Sequence, residues 1–325
     1  MPNIVNIKYL PREEWEREVE KIRPLMFNER EEIVTAIATT YNLKPKYIVY
    51  LENKKVVVSF LAFTIGNSIK LPIHFFYSAI WVSPKFSDTK YCEIFLSFLR
   101  ELKKDFKNIN LKLPHQISDI RPFIWADFKV ENRFTYVKDL LALNYSKDVT
   151  KNISKLSELD FVFKEEKLGS KILDLNLDIF YELKNYPSFK IDQIKKLINK
   201  ISATPYLTCV SCYLENELLA SHILFVDEEY NIAYTLLRNK IRSKSATSVH
   251  TILYHHLFLF FKEKGYLYID LLGADMEKIS LFKSRFKADL YAVDILRYSK
   301  YRSMISHVRS YFKTILLNVL VRLKV

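Results

Sequence analysis

Apolar residues in this chain follow two periods, strand-like and helix-like, and the same succession of periods comes twice. Residues 47–63, YIVYLENKKVVVSFLAF, form two apolar runs broken by a polar corner at Glu52-Asn53-Lys54, which predicts a hairpin. Residues 208–226, TCVSCYLENELLASHILFV, carry the same pattern. A long apolar helix, a short apolar strand and a second helix follow each hairpin. In the first half these read YCEIFLSFLRELKKDFKNINLKLP and SDIRPFIWADFKVENRFTYVKDLL; in the second, HTILYHHLFLFFKEKGYLYIDLLG and MEKISLFKSRFKADLYAVDILRY. Tyr50-Leu51-Glu52-Asn53 matches Tyr213-Leu214-Glu215-Asn216, Phe123 matches Phe282, and Phe128-Lys129 matches Phe286-Lys287. The offset stays between 158 and 163 across four elements. One duplicated module accounts for that.

The periodicity predicts helices over 11–21 and 29–40, strands over 46–52, 55–64 and 71–83, a helix over 90–106 and a strand over 108–113. Pro114 and Pro122 punctuate the next helix, and 133–144 reads as a strand run. Residues 145–170 hold the boundary, with a short polar helix and an edge strand. The second half predicts helices over 175–186 and 190–202, strands over 206–214, 218–226 and 230–238, and a loop over 239–246. A helix over 247–263, a strand over 266–272, a helix over 275–286 and a strand over 289–298 complete it. The expected class is α/β, with a mixed twisted sheet flanked by helices in each half. The expected units are a first module at 1–145, a second at 146–300 and a C-terminal helix at 301–325.

Composition narrows the chemistry. With 325 residues, 49% apolar and 14% aromatic, the chain can fill two cores. Only four glycines occur, so neither a Walker A loop nor a GxGxxG dinucleotide loop can be built. No Gly-x-Ser-x-Gly element marks a hydrolase nucleophile. Cys209 and Cys212 have the spacing of a redox or zinc pair, but in an alternating strand they point to opposite faces and read as buried thiols. The opening residues are charged almost at once, and no apolar run approaches the ~20 residues of a membrane span. A cytoplasmic location is expected.

The order helix, antiparallel hairpin, strand, loop, long helix, strand, helix, strand resembles the GNAT (acyl-CoA N-acyltransferase) fold. The resemblance implies an Arg/Gln-x-x-Gly-x-Gly/Ala motif after the fourth strand, whose amides at a helix start hold the CoA pyrophosphate. Arg242-Ser243-Lys244-Ser245-Ala246-Thr247 occupies that place, followed by Ser248. The arginine is kept, and Ser245 and Thr247 stand at the two glycine positions. In the first half Ser87-Asp88-Thr89 lacks both glycines. Over about 45–297 the tandem arrangement resembles the FemAB-like branch: two fused GNAT-like modules, usually without a glycine-rich loop, that transfer aminoacyl or other acyl groups to an amine.

Such transfer needs an aligned donor and amine, a proton acceptor and oxyanion stabilisation. The resemblance implies Asp270, at the end of the fifth strand of the second module, as the catalytic carboxylate, with Asp275 and Glu277 following. Lys283 matches a lysine of FemAB-like proteins that approaches a phosphate-bearing substrate. Tyr234 and Tyr268 are candidate acids toward a leaving thiolate. For each of these residues a structural role stays open: a loop-fixing carboxylate, a solvated lysine, a core tyrosine. His250, His255 and His256 have no ligands at metal spacing, so no metal site is expected.

Seven of the thirteen excess positive charges fall between Arg297 and Val325, where no acid occurs. Met304, Ile305, Val308, Tyr311, Phe312, Ile315, Leu316, Val319, Leu320 and Leu323 follow a helical stripe. A basic amphipathic helix over 302–325 fits a membrane surface, placing the protein at the inner face, docking on the second module, or RNA contact by its positive face. The expected function is N-acyl transfer to a small-molecule or lipid-linked amine. Acyl-CoA is the expected co-substrate, with no tightly bound cofactor and no DNA partner. Aminoacyl-tRNA stays open as donor, although the mildly basic core lacks the broad positive face tRNA binding favours. A catalytically inactive GNAT-like protein that binds a ligand or partner is the alternative.

Overall fold

The computed structural model describes residues 5–73, 76–181, 186–242, 248–301 and 303. Apart from residues 301 and 303, the expected C-terminal helix therefore lies outside the described residues. The first half runs β1 (Val5–Leu10), α1 (Arg12–Glu20), α2 (Glu31–Tyr41), β2 (Lys44–Glu52), β3 (Lys55–Ile65), β4 (Ser68–Lys70), β5 (Ala79–Val82), α3 (Asp88–Asp105), β6 (Asn108–Lys112), α4 (Arg121–Trp125), β7 (Lys129–Glu131) and β8 (Phe134–Asp139). After α5 (Lys147–Leu156) the plan repeats as β9 (Val162–Glu166), α6 (Ser170–Tyr181), α7 (Ser188–Ile201), β10 (Leu207–Leu214), β11 (Glu217–Asp227), β12 (Ile232–Lys240), α8 (Val249–Glu263), β13 (Tyr268–Asp270), α9 (Glu277–Ser284), β14 (Asp289–Ala292) and β15 (Ile295–Ser299).

The pairing repeats as well. β2 and β3 form an antiparallel hairpin with a bulge between Tyr50 and Leu51; β10 and β11 form another, with the bulge between Cys212 and Tyr213. Those bulges are 162 residues apart, as are the turns, where Asn53 and Lys54 answer to Glu215 and Asn216, all four at positive φ. The YLEN tetrapeptides are 163 apart. The letters that advertise the repeat thus sit one residue out of structural register, while the elements around them repeat.

One sheet orders β1-β2-β3-β4-β6-β15-β7, with β5 also on β3; the other orders β14-β8-β13-β12-β11-β10-β9. Each sheet contains one strand from the opposite half. β8 leaves the first half to pair antiparallel with β13, and β15 leaves the second to pair with β6. The single strand expected over 289–298 is therefore two strands in two sheets. The corners that redirect the chain meet: Asn132 Nδ2 donates to Asp294 Oδ1 at 2.7 Å, and the Val293 amide donates to the Arg133 carbonyl at 2.8 Å.

Alternation along the strands feeds three cores. Trp15, Val19, Ile33 and Ile37 of α1 and α2 pack in one core with Leu177, Ile194 and Ile198 of α6 and α7, so this core joins the two halves. Phe95, Phe98 and Leu99 of α3 cover the other face of the first sheet, and Leu253, Tyr254 and Phe258 of α8 that of the second. Cys209 lies in the joint core and Cys212 in the α8 core, on opposite faces as the alternation predicts. Among the described residues no helix is long and apolar enough to cross a membrane.

Candidate functional site

The segment read as one strand over 71–83 is broken. β4 ends at Lys70, and β5 resumes on β3 rather than on β6. The first sheet therefore splits. Its last tie is at Ser78, whose amide donates to the Lys112 carbonyl at 2.8 Å and whose Oγ accepts from the Lys112 amide at 3.1 Å. Beyond it, 80–84 and 114–119 enclose a cavity of about 730 Å³, the size of a small-molecule site. Tyr230, Tyr234, Tyr268 and Tyr291 of the second half close it.

Aromatic packing fixes the walls. Tyr234 stacks on Phe76 with centroids 4.7 Å apart, and Phe76 meets Tyr77 edge-on at 5.4 Å. The His115 ring lies 5.0 Å from that of Tyr291. Trp81 is held from outside by the Arg23 guanidinium, 5.6 Å from its ring. Arg23 is itself buried and forked onto Glu29 at 2.6 and 2.7 Å, with a further bond to Ser59 Oγ at 2.9 Å.

Tyr77 links the cavity to the second half. Its hydroxyl donates to Asp270 Oδ2 at 2.7 Å. Asp270 Oδ1 accepts from Thr135 Oγ1 and from the Leu272 amide at 2.9 Å, and Asp270 is fully buried. The Lys112 ammonium stands 5.4 Å from the Tyr77 ring centroid. Burial, reinforced by Asp270, holds the Tyr77 phenol well above its ordinary pKa, so it stays protonated. Burial lowers His115, against the pull of Asp270, which keeps its imidazole neutral at pH 7. Asp227, also on the wall, is pushed up to about 6 by burial, although the Phe27 amide donates to it at 2.9 Å.

Lys283 is enclosed rather than solvated. Its ammonium donates to the carbonyls of Leu271 at 2.7 Å, Gly273 at 3.0 Å and Leu272. Leu272 and Gly273 are both left-handed, at φ 47° and 53°. That turn gathers three carbonyl oxygens on one side, and Lys283 satisfies them. The lysine thus braces the turn that follows Asp270. Burial lowers its pKa well below the ordinary lysine value.

The structure brings Tyr234, Tyr268 and Asp270 to one place and leaves other candidates apart. Arg242 is exposed at the exit of β12, and Ser248 precedes α8 without a side-chain cap. Ser243, Lys244, Ser245, Ala246 and Thr247 lie outside the described residues. At the second split, between β12 and β13, Arg238 occupies the place of Ile80: its guanidinium donates to Tyr254 Oη at 2.7 Å and lies over the rings of Tyr254 and Phe282. Asp275 accepts from the Phe134 amide at 2.9 Å, and Glu277 opens α9. His250 meets His222 with ring centroids 5.9 Å apart, His255 Nδ1 bonds the Tyr145 hydroxyl at 3.0 Å, and His256 stacks on Phe163. Among the described residues no His, Cys, Asp and Glu cluster could hold a metal.

Tyr77, Trp81, His115 and Asp227 are the site residues that sequence reasoning missed. Tyr77 sits in an apolar run that reads as a strand, and nothing distinguishes it among 21 tyrosines.

Two split α/β sheets with an exchanged strand define a tandem GNAT-like, FemAB-like fold. Solved structures share it. FemX is 10% identical, with 90% of this chain and 96% of that one covered and a TM-score of 0.60. L-PGS from Bacillus licheniformis is 12% identical over 90% and 93%, with a TM-score of 0.51. A tandem GNAT protein from the clavulanic acid biosynthesis pathway is 8% identical over 90% and 97%, with a TM-score of 0.51. No family model and no curated protein sequence matches the chain.

Proposed function

We propose that the protein transfers an acyl or aminoacyl group from an activated donor to an amine, at the junction where Tyr77 meets Asp270. That cross-module hydrogen bond on the wall of a cavity carries the reading. In the transfer, the amine nitrogen bonds to the carbonyl carbon of a thioester or ester, and the carbon–sulfur or carbon–oxygen bond breaks. The amine proton passes to the Tyr77 oxygen while the Tyr77 proton moves to Asp270; the leaving thiolate or alkoxide then takes a proton back. Thr135 and the Leu272 amide keep Asp270 aimed at Tyr77, and Lys283 braces the turn beyond it.

Acyl-CoA is the donor we favour, bound near Arg242 and Ser248 at the start of α8, a position suited to an anion. Aminoacyl-tRNA is the other donor. The acceptor is a small or lipid-linked amine, and contact with an anionic membrane through 302–325 belongs to the same proposal. The test is release of free thiol from a panel of acyl-CoAs, and of deacylated tRNA from aminoacyl-tRNAs, with primary amines present. Turnover that disappears in Tyr77→Phe and Asp270→Asn supports the assignment. Turnover retained in both but lost in His115→Ala moves the proton acceptor to His115. No turnover with any donor leaves the inactive, ligand-binding alternative, which the self-capped start of α3 favours for the first module.

A further inference from the structure

We infer that the cavity takes a cationic amine carried on an apolar body, and that it does not take the phosphate-bearing end of a donor. As an acceptor, this amine rests on the transferase reading above and must first give one proton to solvent before its nitrogen can attack; as a ligand, it rests on the cavity alone.

Charge on the walls decides the sign. Among the described lining residues there is no lysine or arginine, while Asp88, Asp119 and Asp227 contribute carboxyl groups. Asp119 is matched by Arg121, which bonds both its oxygens at 2.9 and 2.7 Å, and adds little net charge. Asp227 is the deep one, 3% exposed; the Phe27 and Tyr230 amides bond it, and Arg30 acts on it through charge alone, with no ion pair between them. Asp88 sits in the first turn of α3, whose amide at Lys90 is already capped by Ser87 Oγ at 3.4 Å. A phosphate at that helix start would meet a carboxylate and a filled cap, against the usual preference of such ends for anions.

The rest of the wall suits a cation with an apolar body. Phe76, Tyr77, Trp81, Tyr230, Tyr234 and Tyr291 supply rings, two of which already meet a cation of the protein: Arg23 at 5.6 Å from Trp81 and Lys112 at 5.4 Å from Tyr77. A desolvated ammonium is attracted to the face of such a ring, and the hydrocarbon behind it gains from burial. Val82, Pro84, Ile117 and Ile232 add aliphatic surface, beside the polar side chains of Ser83 and Gln116.

The experiment is calorimetric titration of the full chain with n-hexylammonium, hexanoate, hexanol and CoA. Hexylammonium should bind at least tenfold more tightly than hexanol and hexanoate. CoA should not displace it. Tyr234→Leu and, separately, Trp81→Leu should each weaken hexylammonium about tenfold while leaving the far-ultraviolet circular dichroism unchanged. Asp227→Asn should bring hexylammonium and hexanol close together. Hexanoate binding as tightly as hexylammonium, or CoA competing with it, overturns the inference; so does a hexylammonium affinity that none of the three variants changes. The two readings fail separately. Selective amine binding with no turnover on any donor removes the transferase alone, and turnover on amines without amine selectivity in the cavity removes the cation site alone.

Discussion

Tyr77 and Asp270, 193 residues apart in the chain, share a 2.7 Å hydrogen bond across the joint between two modules. Neither module holds both groups. The proton relay proposed for this pair needs the modules to keep their relative position, so turnover at the cavity should report on the docking of the halves. Tyr77→Phe removes the relay and keeps the ring, and should lower kcat by about 10²–10⁴-fold, in the range of a lost general acid–base group, with KM for the amine little changed. Steady-state kinetics on whichever donor turns over provides the check.

Lys283 answers three carbonyls of one left-handed turn. Lys283→Met keeps the length and takes the donor from those oxygens, of which that of Leu271 is buried and those of Leu272 and Gly273 are partly so. It should cost about 1–3 kcal/mol of stability for the unmet groups, and kcat should fall along with it, because the turn begins two residues beyond Asp270. Urea unfolding of parent and variant gives the first number. A variant as stable as the parent would show that the carbonyls find other donors.

Asp227 gives a pH dependence with a definite sign. Its folded pKa is about 6, against an ordinary value near 3.9. Burial raises it, Glu29 adds to the rise, and the Phe27 and Tyr230 amides and Arg30 oppose it. The folded state therefore binds the proton more tightly than the unfolded chain. The stabilisation this brings is full below about pH 4 and is lost as pH rises through about 6. Asp227→Asn should remove that slope, leaving the variant relatively more stable at pH 7 than at pH 4, by up to about 2–3 kcal/mol. Denaturant melts at the two pH values test this; identical slopes in parent and variant would refute the assignment.

The Arg23–Glu29 pair is buried behind Trp81. Glu29→Gln leaves a buried guanidinium without its counter-charge, which should cost about 3–5 kcal/mol. Trp81 fluorescence should change as well, since the cation over its ring loses its fork. A loss below 1 kcal/mol would mean that Ser59 and the Pro24 carbonyl suffice to hold Arg23.

The exchanged strands predict how the chain behaves when cut. A fragment of residues 1–145 lacks β15, and its sheet would leave β6 and β7 unjoined; a fragment of residues 146–325 lacks β8, which separates β13 from β14. Each alone should show exposed hydrophobic surface by dye binding and no cooperative melt. Mixed, they should recover one. Two fragments that each melt cooperatively would remove this expectation.

Much of the fold could be read from periodicity, because both hairpins, both long helices and most boundaries follow from which positions face a core. Cys209 and Cys212 on opposite faces show how far alternation reaches. The exchange could not be read. Residues 289–298 keep a strand-like composition throughout, and only the long-range bonds of Val293 and Asp294 say that two sheets share them. The site was legible in part. Asp270 draws notice as an acid in an apolar strand, whereas its partner Tyr77 is one ring among many in an apolar run. Lys283 carries a charge that normally marks a surface, and the left-handed pair that buries it is set by backbone geometry that letters do not state.

The corner at Val293 and Asp294 also sets a timetable. During synthesis the first sheet has β1 to β7 early, but the strand that joins β6 to β7 arrives only with residues 295–299. The early half must wait with the edges of β6 and β7 unpaired while the entire second half is made, and such edges are where chains join wrongly. Translation of this protein thus leaves those two edges open until residues 295–299 emerge, and a nascent chain stalled before Ile295 should be prone to aggregate whatever the state of α1 and α2.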